Sequence, residues 1–211
     1  VNILSRLIGV FIFAANINIL YLQSTAMTEL LLIVTMTAAA YELLIWFKKE
    51  RFIDLIKSAF FVMLASLVRY DGWFLLIFAI VLIGIEVYRR KGYKTTEGII
   101  ILFSTLAGFG IFLWFLWNLL IFKDPLYFIF GPYSAHTQQE QLAIAGNLAT
   151  KNNLLFSIKV YLYSVAYNCN AFITLLGLAG GILLWFDKKI KTSVKIAVTG
   201  LLAPLIFNIL S

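Results

Sequence analysis

The stretch GIIILFSTLAGFGIFLWFLWNLLIF, residues 98–122, carries no charged side chain from end to end. A helix needs about 20 predominantly apolar residues to cross a hydrocarbon core of ~30 Å, and this run supplies them. Working outward, comparable apolar runs cover 3–20, 28–47, 52–68, 72–88, 154–186 and 196–210. The composition agrees, with 62% hydrophobic and 13% charged residues and a mean hydropathy of +0.95, against about 25% charged residues in a soluble domain. The expected fold is all-α, a polytopic transmembrane helical bundle of about seven spans. Residues 1–211 read as a single transmembrane domain with one longer extracytoplasmic loop at 123–153. Because the chain opens on Val1 and its last apolar run stops at Ser211, it reads as a piece of a longer polypeptide.

Basic residues give the expected direction. Lys48, Lys49, Arg51 and Lys57 fall in one connection, Arg89, Arg90, Lys91 and Lys94 in a second, and Lys188, Lys189, Lys191 and Lys195 in a third. These are alternate connections, and Arg6 belongs to the same side, so the positive-inside rule makes that side cytoplasmic. The net charge of +7 is then a matter of topology, and no nucleic-acid partner is read from it. The lone Cys169 excludes an internal disulfide and reads as an inert packing residue. One histidine and one cysteine exclude an all-protein zinc site of the usual kind.

Charges at the ends of apolar runs stand out against this background. Glu29 opens the second run, and Arg69-Tyr70-Asp71 separates the third from the fourth. Ionisable residues in such places are commonly functional. Helix rise puts Glu29 about 28 Å from Lys48, near the outer edge of the core. Counting from Lys57 puts Arg69 about 18 Å up, whereas counting from Arg89 puts Asp71 about 27 Å up, so the pair lies at the outer boundary or somewhat below it. The long connection opens with Lys123-Asp124-Pro125, which ends a helix, and continues through a Gly131-Pro132 break flanked by aromatics, as in a segment lying along the interface. Ser134, His136, Gln138, Gln139 and Glu140 follow, a polar cluster able to hydrogen-bond a sugar or a phosphate.

Bland alternatives stand beside these readings. The loop aromatics are also what anchors a segment at headgroup level, and an Arg69–Asp71 or Arg69–Glu29 ion pair is also a structural device, although such a pair gains little stability when buried. Asn16, Asn18 and Gln23 also suit the backbone where the first hairpin turns. Glu42 and Glu86 are expected to pair with cytoplasmic Lys or Arg. Gly177, Gly180 and Gly181 are expected to permit close helix packing.

The strings 16–29 (NINILYLQSTAMTE), 68–73 (VRYDGW), Asp124-Pro125 with Tyr127, and Pro132-Tyr133 occur in an order that resembles the middle of GT-C class membrane glycosyltransferases, the family 39-like, protein-mannosyltransferase-related enzymes. The resemblance covers most of the chain and departs from the pattern at Ile17 and Ala26, where relatives often carry proline. It implies that the family's first acidic catalytic loop precedes Val1, and that a C-terminal region follows. It also implies transfer of a sugar from a polyprenyl-phosphate donor to a hydroxyl of a lipid, glycan or protein acceptor, outside a prokaryotic plasma membrane. Glu29 matches an acidic position and would serve as the catalytic carboxylate. Arg69 matches the basic position and would bind the donor phosphate. Asp71 would orient Arg69, with Tyr70, Asn18, Gln23, Tyr133, His136 and Gln139 as substrate-binding residues. No cofactor is expected; a divalent metal is compatible with the chemistry but is not required where an arginine meets the leaving phosphate. A transporter or flippase of lipid-linked saccharides is the competing expectation, although the sequence displays no repeat or paired helix break of the kind transporters use.

Overall fold

The computed structural model describes residues 3–25, 27–146 and 153–200, and all regular structure in them is helical. In chain order the helices are α1 (Ile3–Ala14), α2 (Ile17–Ser24), α3 (Glu29–Lys49), α4 (Phe52–Val68), α5 (Asp71–Lys91), α6 (Tyr93–Phe122), α7 (Tyr127–Phe130), α8 (Ala135–Ile144), α9 (Leu154–Cys169), α10 (Ala171–Phe186) and α11 (Thr192–Gly200). Three of them, α3, α5 and α6, are long and apolar enough to cross a membrane, and the total reaches five when each of two bent pairs counts as one crossing. The expected count of about seven is therefore matched only in part. Helix α4 has 17 residues, about 25 Å of rise, which is short for the core. Most of the seventh run, 201–210, lies outside the described residues.

The core is a bundle of α3, α4, α5 and α6, with α4 packed against the other three. Small residues make this close approach possible. Ala39, Ala59, Ala65, Ala79 and Ala107 are almost fully buried, and the Ser58 hydroxyl donates to the Ala39 carbonyl at 2.9 Å, bridging α4 to α3. Gly110 of α6 lies against Ser66 and the Met63 carbonyl so closely that any Cβ would collide with them. Outward faces instead carry large apolar side chains such as Phe112, Leu120, Leu175 and Leu183, as a lipid-facing surface requires.

Charge placement follows the helix dipoles. Helices α3 and α5 run parallel, each with an acid in its first turn (Glu29, Asp71) and bases in its last (Lys48 and Lys49; Arg89, Arg90 and Lys91). Such termini complement the partial charges of the helix ends. At the basic end Lys91 bonds Glu50 at 2.7 Å, Arg90 bonds Glu86 at 2.6 Å and the Phe47 carbonyl at 3.1 Å, and Arg51 grips the buried Asp54 with two bonds of 2.9 Å. Glu86 thus pairs as expected. The hydrogen bond from Lys91 and its charge hold the Glu50 carboxyl below its ordinary value. A gap of about 20 Å³ beside Trp46 and Arg90 has room for little more than a water.

Several local expectations change. The run at 3–20 is broken at Ala15–Asn16, where α1 and α2 meet at 57°, and the run at 154–186 is broken at Asn170, where α9 and α10 meet at 109°. Asn170 adopts a left-handed φ of 67° and caps α10 by accepting from Phe172 N–H. Asn16 likewise caps α2. The two breaks touch, because Asn16 and Asn18 both donate to the Asn168 carbonyl, at 3.2 and 2.7 Å. Paired helix breaks, absent from the sequence reading, are therefore present. Among the described residues nothing lies against Gly177, Gly180 or Gly181 on α10, and Cys169 is exposed rather than packed. The described part of the 123–153 connection folds into α7 and α8.

Candidate functional site

Glu29, Arg69 and Asp71 converge because α3 begins, α4 ends and α5 begins at the same end of the bundle. Arg69 follows the last turn of α4 in an extended conformation, and Gly72 lets α5 begin directly against Ala65 and Ser66, where a Cβ would collide with backbone. The guanidinium is thereby set between two carboxylates. Its Nη1 donates to Glu29 Oε1 at 2.6 Å and its Nε to Asp71 Oδ2 at 2.9 Å. Side-chain exposures of 36% for Arg69, 39% for Glu29 and 13% for Asp71 mark a half-open site. Pairs this exposed contribute about 0–1 kcal/mol each to stability, so the cluster is not explained by what it adds to the fold.

The two oxygens of Glu29 differ. Oε1 is held by Arg69, while Oε2 is buried and has no hydrogen-bond partner among the described residues. A buried acceptor left without a partner is costly, and it is a proton acceptor shielded from solvent. With both carboxylates ionised, the three groups carry one net negative charge. Arg69 has five N–H donors, of which its bonds to Glu29 and Asp71 use one at Nη1 and the one at Nε. An incoming anion would therefore meet the remaining donors of a guanidinium already aligned.

Beside this cluster, Tyr70 lines an open cleft of about 300 Å³. Trp114, Trp117 and Asn118 of α6 line it too, as do Tyr133 and Ser134 from the turn between α7 and α8. Aromatic packing builds the wall: Phe128 of α7 meets Trp73, Trp114 and Phe115 edge-on at ring distances of 5.6, 6.1 and 5.7 Å. Tyr127 stacks on Phe122 at 4.1 Å. Lys123 ends α6 in a left-handed conformation, and the Asp124 carboxylate accepts from Leu126 N–H, turning the chain back. Ser134 caps the next helix by accepting from Thr137 N–H at 3.1 Å. The indole N–H of Trp114 is buried without an acceptor among the described residues.

The structure thus joins Glu29, Arg69 and Asp71 in one cluster and sets Tyr70 and Tyr133 in the adjacent cleft. It does not bring the remaining candidates there. Asn18 is committed to Asn168, Gln23 is exposed on α2, His136 lies 3.9 Å from Glu140 with its ring edge-on to Phe130, and Gln139 is exposed on α8. Trp114, Trp117 and Asn118 were missed by the sequence reading, whereas Ser134 belongs to the polar cluster expected after Pro132 and does line the cleft. Asn118 carried a signal, as the only amide in the run at 98–122. Among the described residues no group of three or more His, Cys, Asp or Glu side chains is placed to hold a metal ion.

No family model matches the chain, and no curated protein or solved structure is detectably similar to it.

Proposed function

We propose that the protein is a glycosyltransferase that moves a sugar from a polyprenyl-phosphate donor to an acceptor hydroxyl. The bundle would cross a prokaryotic plasma membrane about seven times, with α4, each bent pair and the run at 196–210 each counted as one crossing beside α3, α5 and α6, and with the Arg69 end facing outside. The observation that carries this reading is the split state of Glu29, one oxygen anchored by Arg69 and the other buried and open. In the reaction the acceptor oxygen attacks the anomeric carbon while its proton passes to Glu29 Oε2. The bond from the anomeric carbon to the phosphate oxygen breaks, and the polyprenyl phosphate leaves with the electron pair. The donors of Arg69 beyond those given to Glu29 and Asp71 stabilise the charge gathering on that phosphate, and Asp71 keeps the guanidinium in orientation. The motif order in the sequence supports the same reading.

The test is transfer from radiolabelled polyprenyl-phosphate sugars by the protein in membranes, with the acceptor lipids, glycans and proteins of those membranes present. Wild type is expected to transfer label, and Arg69→Ala to lose about a hundredfold or more in rate. Unchanged transfer by a correctly inserted Arg69→Ala would remove Arg69 from the mechanism, and no transfer from any donor would overturn the enzyme reading.

The touching breaks at Asn16 and Asn170 favour a second reading, a transporter or flippase of lipid-linked saccharides, since transporters build their substrate sites from discontinuous helices. Cys169 adjoins one break and is exposed, so it reports on motion there. A transporter predicts that a polyprenyl-linked sugar changes maleimide labelling of Cys169, and of cysteines placed on both faces, in the absence of chemistry. Labelling indifferent to the substrate would set this reading aside.

A further inference from the structure

Helices α9 and α10 turn through 109° at Asn170. If the two shared one crossing equally, each would tilt about 55° from the membrane normal, beyond the 0–40° of spanning helices. Helix α10 suits a crossing by itself. Ala171 to Phe186 holds no charge, and large apolar side chains such as Leu175, Leu178 and Leu183 are exposed along it. Its two ends are tied to different parts of the bundle. At one, Asn16 and Asn18 hold the Asn168 carbonyl at 3.2 and 2.7 Å, and from them the 8 residues of α2 lead toward Glu29 at the Arg69 end. At the other, Lys195 of α11 donates to the Trp185 carbonyl at 2.6 Å, close in sequence to the basic turn at 188–191. With α10 along the membrane normal, α9 lies about 20° from the membrane plane. Its 16 residues, about 24 Å of helix, then change depth by only about 8 Å.

The faces of α9 differ as such a placement requires. Ile158, Tyr161 and Val165 form a half-buried face. Phe156, Lys159, Tyr163 and Tyr167 project from the opposite one, all exposed. Between these faces Leu155 and Leu162 share one flank, and Ser157 and Ser164 share the other, as residues seven apart do at 3.6 per turn. Tyrosine belongs at the boundary of hydrocarbon and water, where the ring stays dry and the phenol stays wet. A lysine inside a crossing is costly, whereas in the plane Lys159 reaches the headgroups directly. No acid accompanies it in α9, so the exposed stripe is complementary in charge to lipid phosphate.

We infer that α9 lies in the plane of the membrane at the Arg69 end of the bundle, seated on phospholipid headgroups through Phe156, Lys159, Tyr163 and Tyr167, while α10 alone makes the crossing. Leu155 and Leu162 then point into hydrocarbon, and Ser164 points toward water. The exposed apolar surface of α10 continues into this stripe, so the lipid that surrounds one meets the other. The run at 154–186 is thereby divided into a helix on the membrane and a helix through it. This placement depends neither on the chemistry at Arg69 nor on which side of the membrane that end faces.

The test is the depth of nitroxide labels on single cysteines, in a Cys169→Ser background and in lipid nanodiscs, read from collisions with oxygen and with a water-soluble nickel chelate. Cysteines replace Phe156, Tyr163 and Tyr167 along the stripe, Leu162 and Ser164 on the two flanks, and Leu178 of α10 as the deep reference. The stripe is expected at headgroup level, with less than about 6 Å of depth between positions 156 and 167, against about 16 Å for an upright helix and about 10 Å for an equally shared crossing. Leu162→Cys should lie deeper than Ser164→Cys by roughly the width of a helix, about 10 Å, although their rise along an upright helix is only ~3 Å. A change of about 10 Å or more along the stripe, or a label at 162 no deeper than one at 164, would overturn the inference. So would labels shielded from both oxygen and chelate, because protein, such as a second copy of the chain, would then cover the stripe. The two comparisons use different variants, so a cysteine that unfolds the protein removes one and leaves the other.

Discussion

At Arg51 and Arg69 the same residue type holds acids in different settings. Asp54 is 1% exposed and receives two hydrogen bonds from Arg51, so Arg51→Ala strands a buried carboxylate and should cost about 2–3 kcal/mol. Arg69→Ala, at a half-open cluster, should cost about 1 kcal/mol or less. Thermal unfolding of the two variants in the same detergent checks the order, and an equal loss would show that burial is not what separates them. Glu29, Arg69 and Asp71 were legible in the sequence because a charge interrupting apolar runs is conspicuous. Trp114 and Trp117 were not, since an aromatic on a lipid-crossing helix looks alike whether it faces a neighbour, lipid or a cleft. Asn18 misled for the opposite reason: a polar side chain near a helix end has many available partners, and this one bonds the Asn168 carbonyl, while His136 lies exposed on α8 away from the cleft.

At the scale of the helices, periodicity and length located α3, α5 and α6 well, because each is one uninterrupted apolar run ending in charges. The reading of Asn16 as a side chain that satisfies backbone groups at a turn matches its cap on α2, whereas the break at Asn170 escaped notice because averaging over a long apolar run hides a single residue that leaves the helix. The glycines divide in a way the sequence did not reveal. Gly110 sits where a Cβ would strike Ser66 and Met63, whereas no described residue lies against Gly177. Gly110→Ala should therefore destabilise the bundle by about 1–3 kcal/mol through overpacking. Gly177→Ala should be neutral or stabilise α10 by up to ~1 kcal/mol, since alanine favours the helix. Paired melting curves decide this, and a loss at Gly177 equal to that at Gly110 would mean that α10 packs against something after all. Asn18→Ala removes the 2.7 Å bond to Asn168 and should loosen the contact between the two bent pairs, read as faster backbone hydrogen exchange around Asn168.

Taken whole, the molecule is a four-helix core with bases gathered at one end and the Glu29–Arg69–Asp71 cluster at the other. A cysteine at position 133 should react with an impermeant maleimide added outside the membrane, and one at position 94 only after the inner face is opened. The reverse pattern would invert the topology. The most direct measurement is the transfer rate of Glu29→Gln, taken beside its melting temperature. Gln retains the shape and an acceptor for Arg69 but cannot take up a proton. If Glu29 is the catalytic carboxylate, transfer should fall about 10²–10⁴-fold while Tm stays within about 2–4 °C of wild type. Undiminished transfer in Glu29→Gln, or a loss of transfer that merely follows a collapse in Tm, would contradict the assignment of Glu29 to the chemistry.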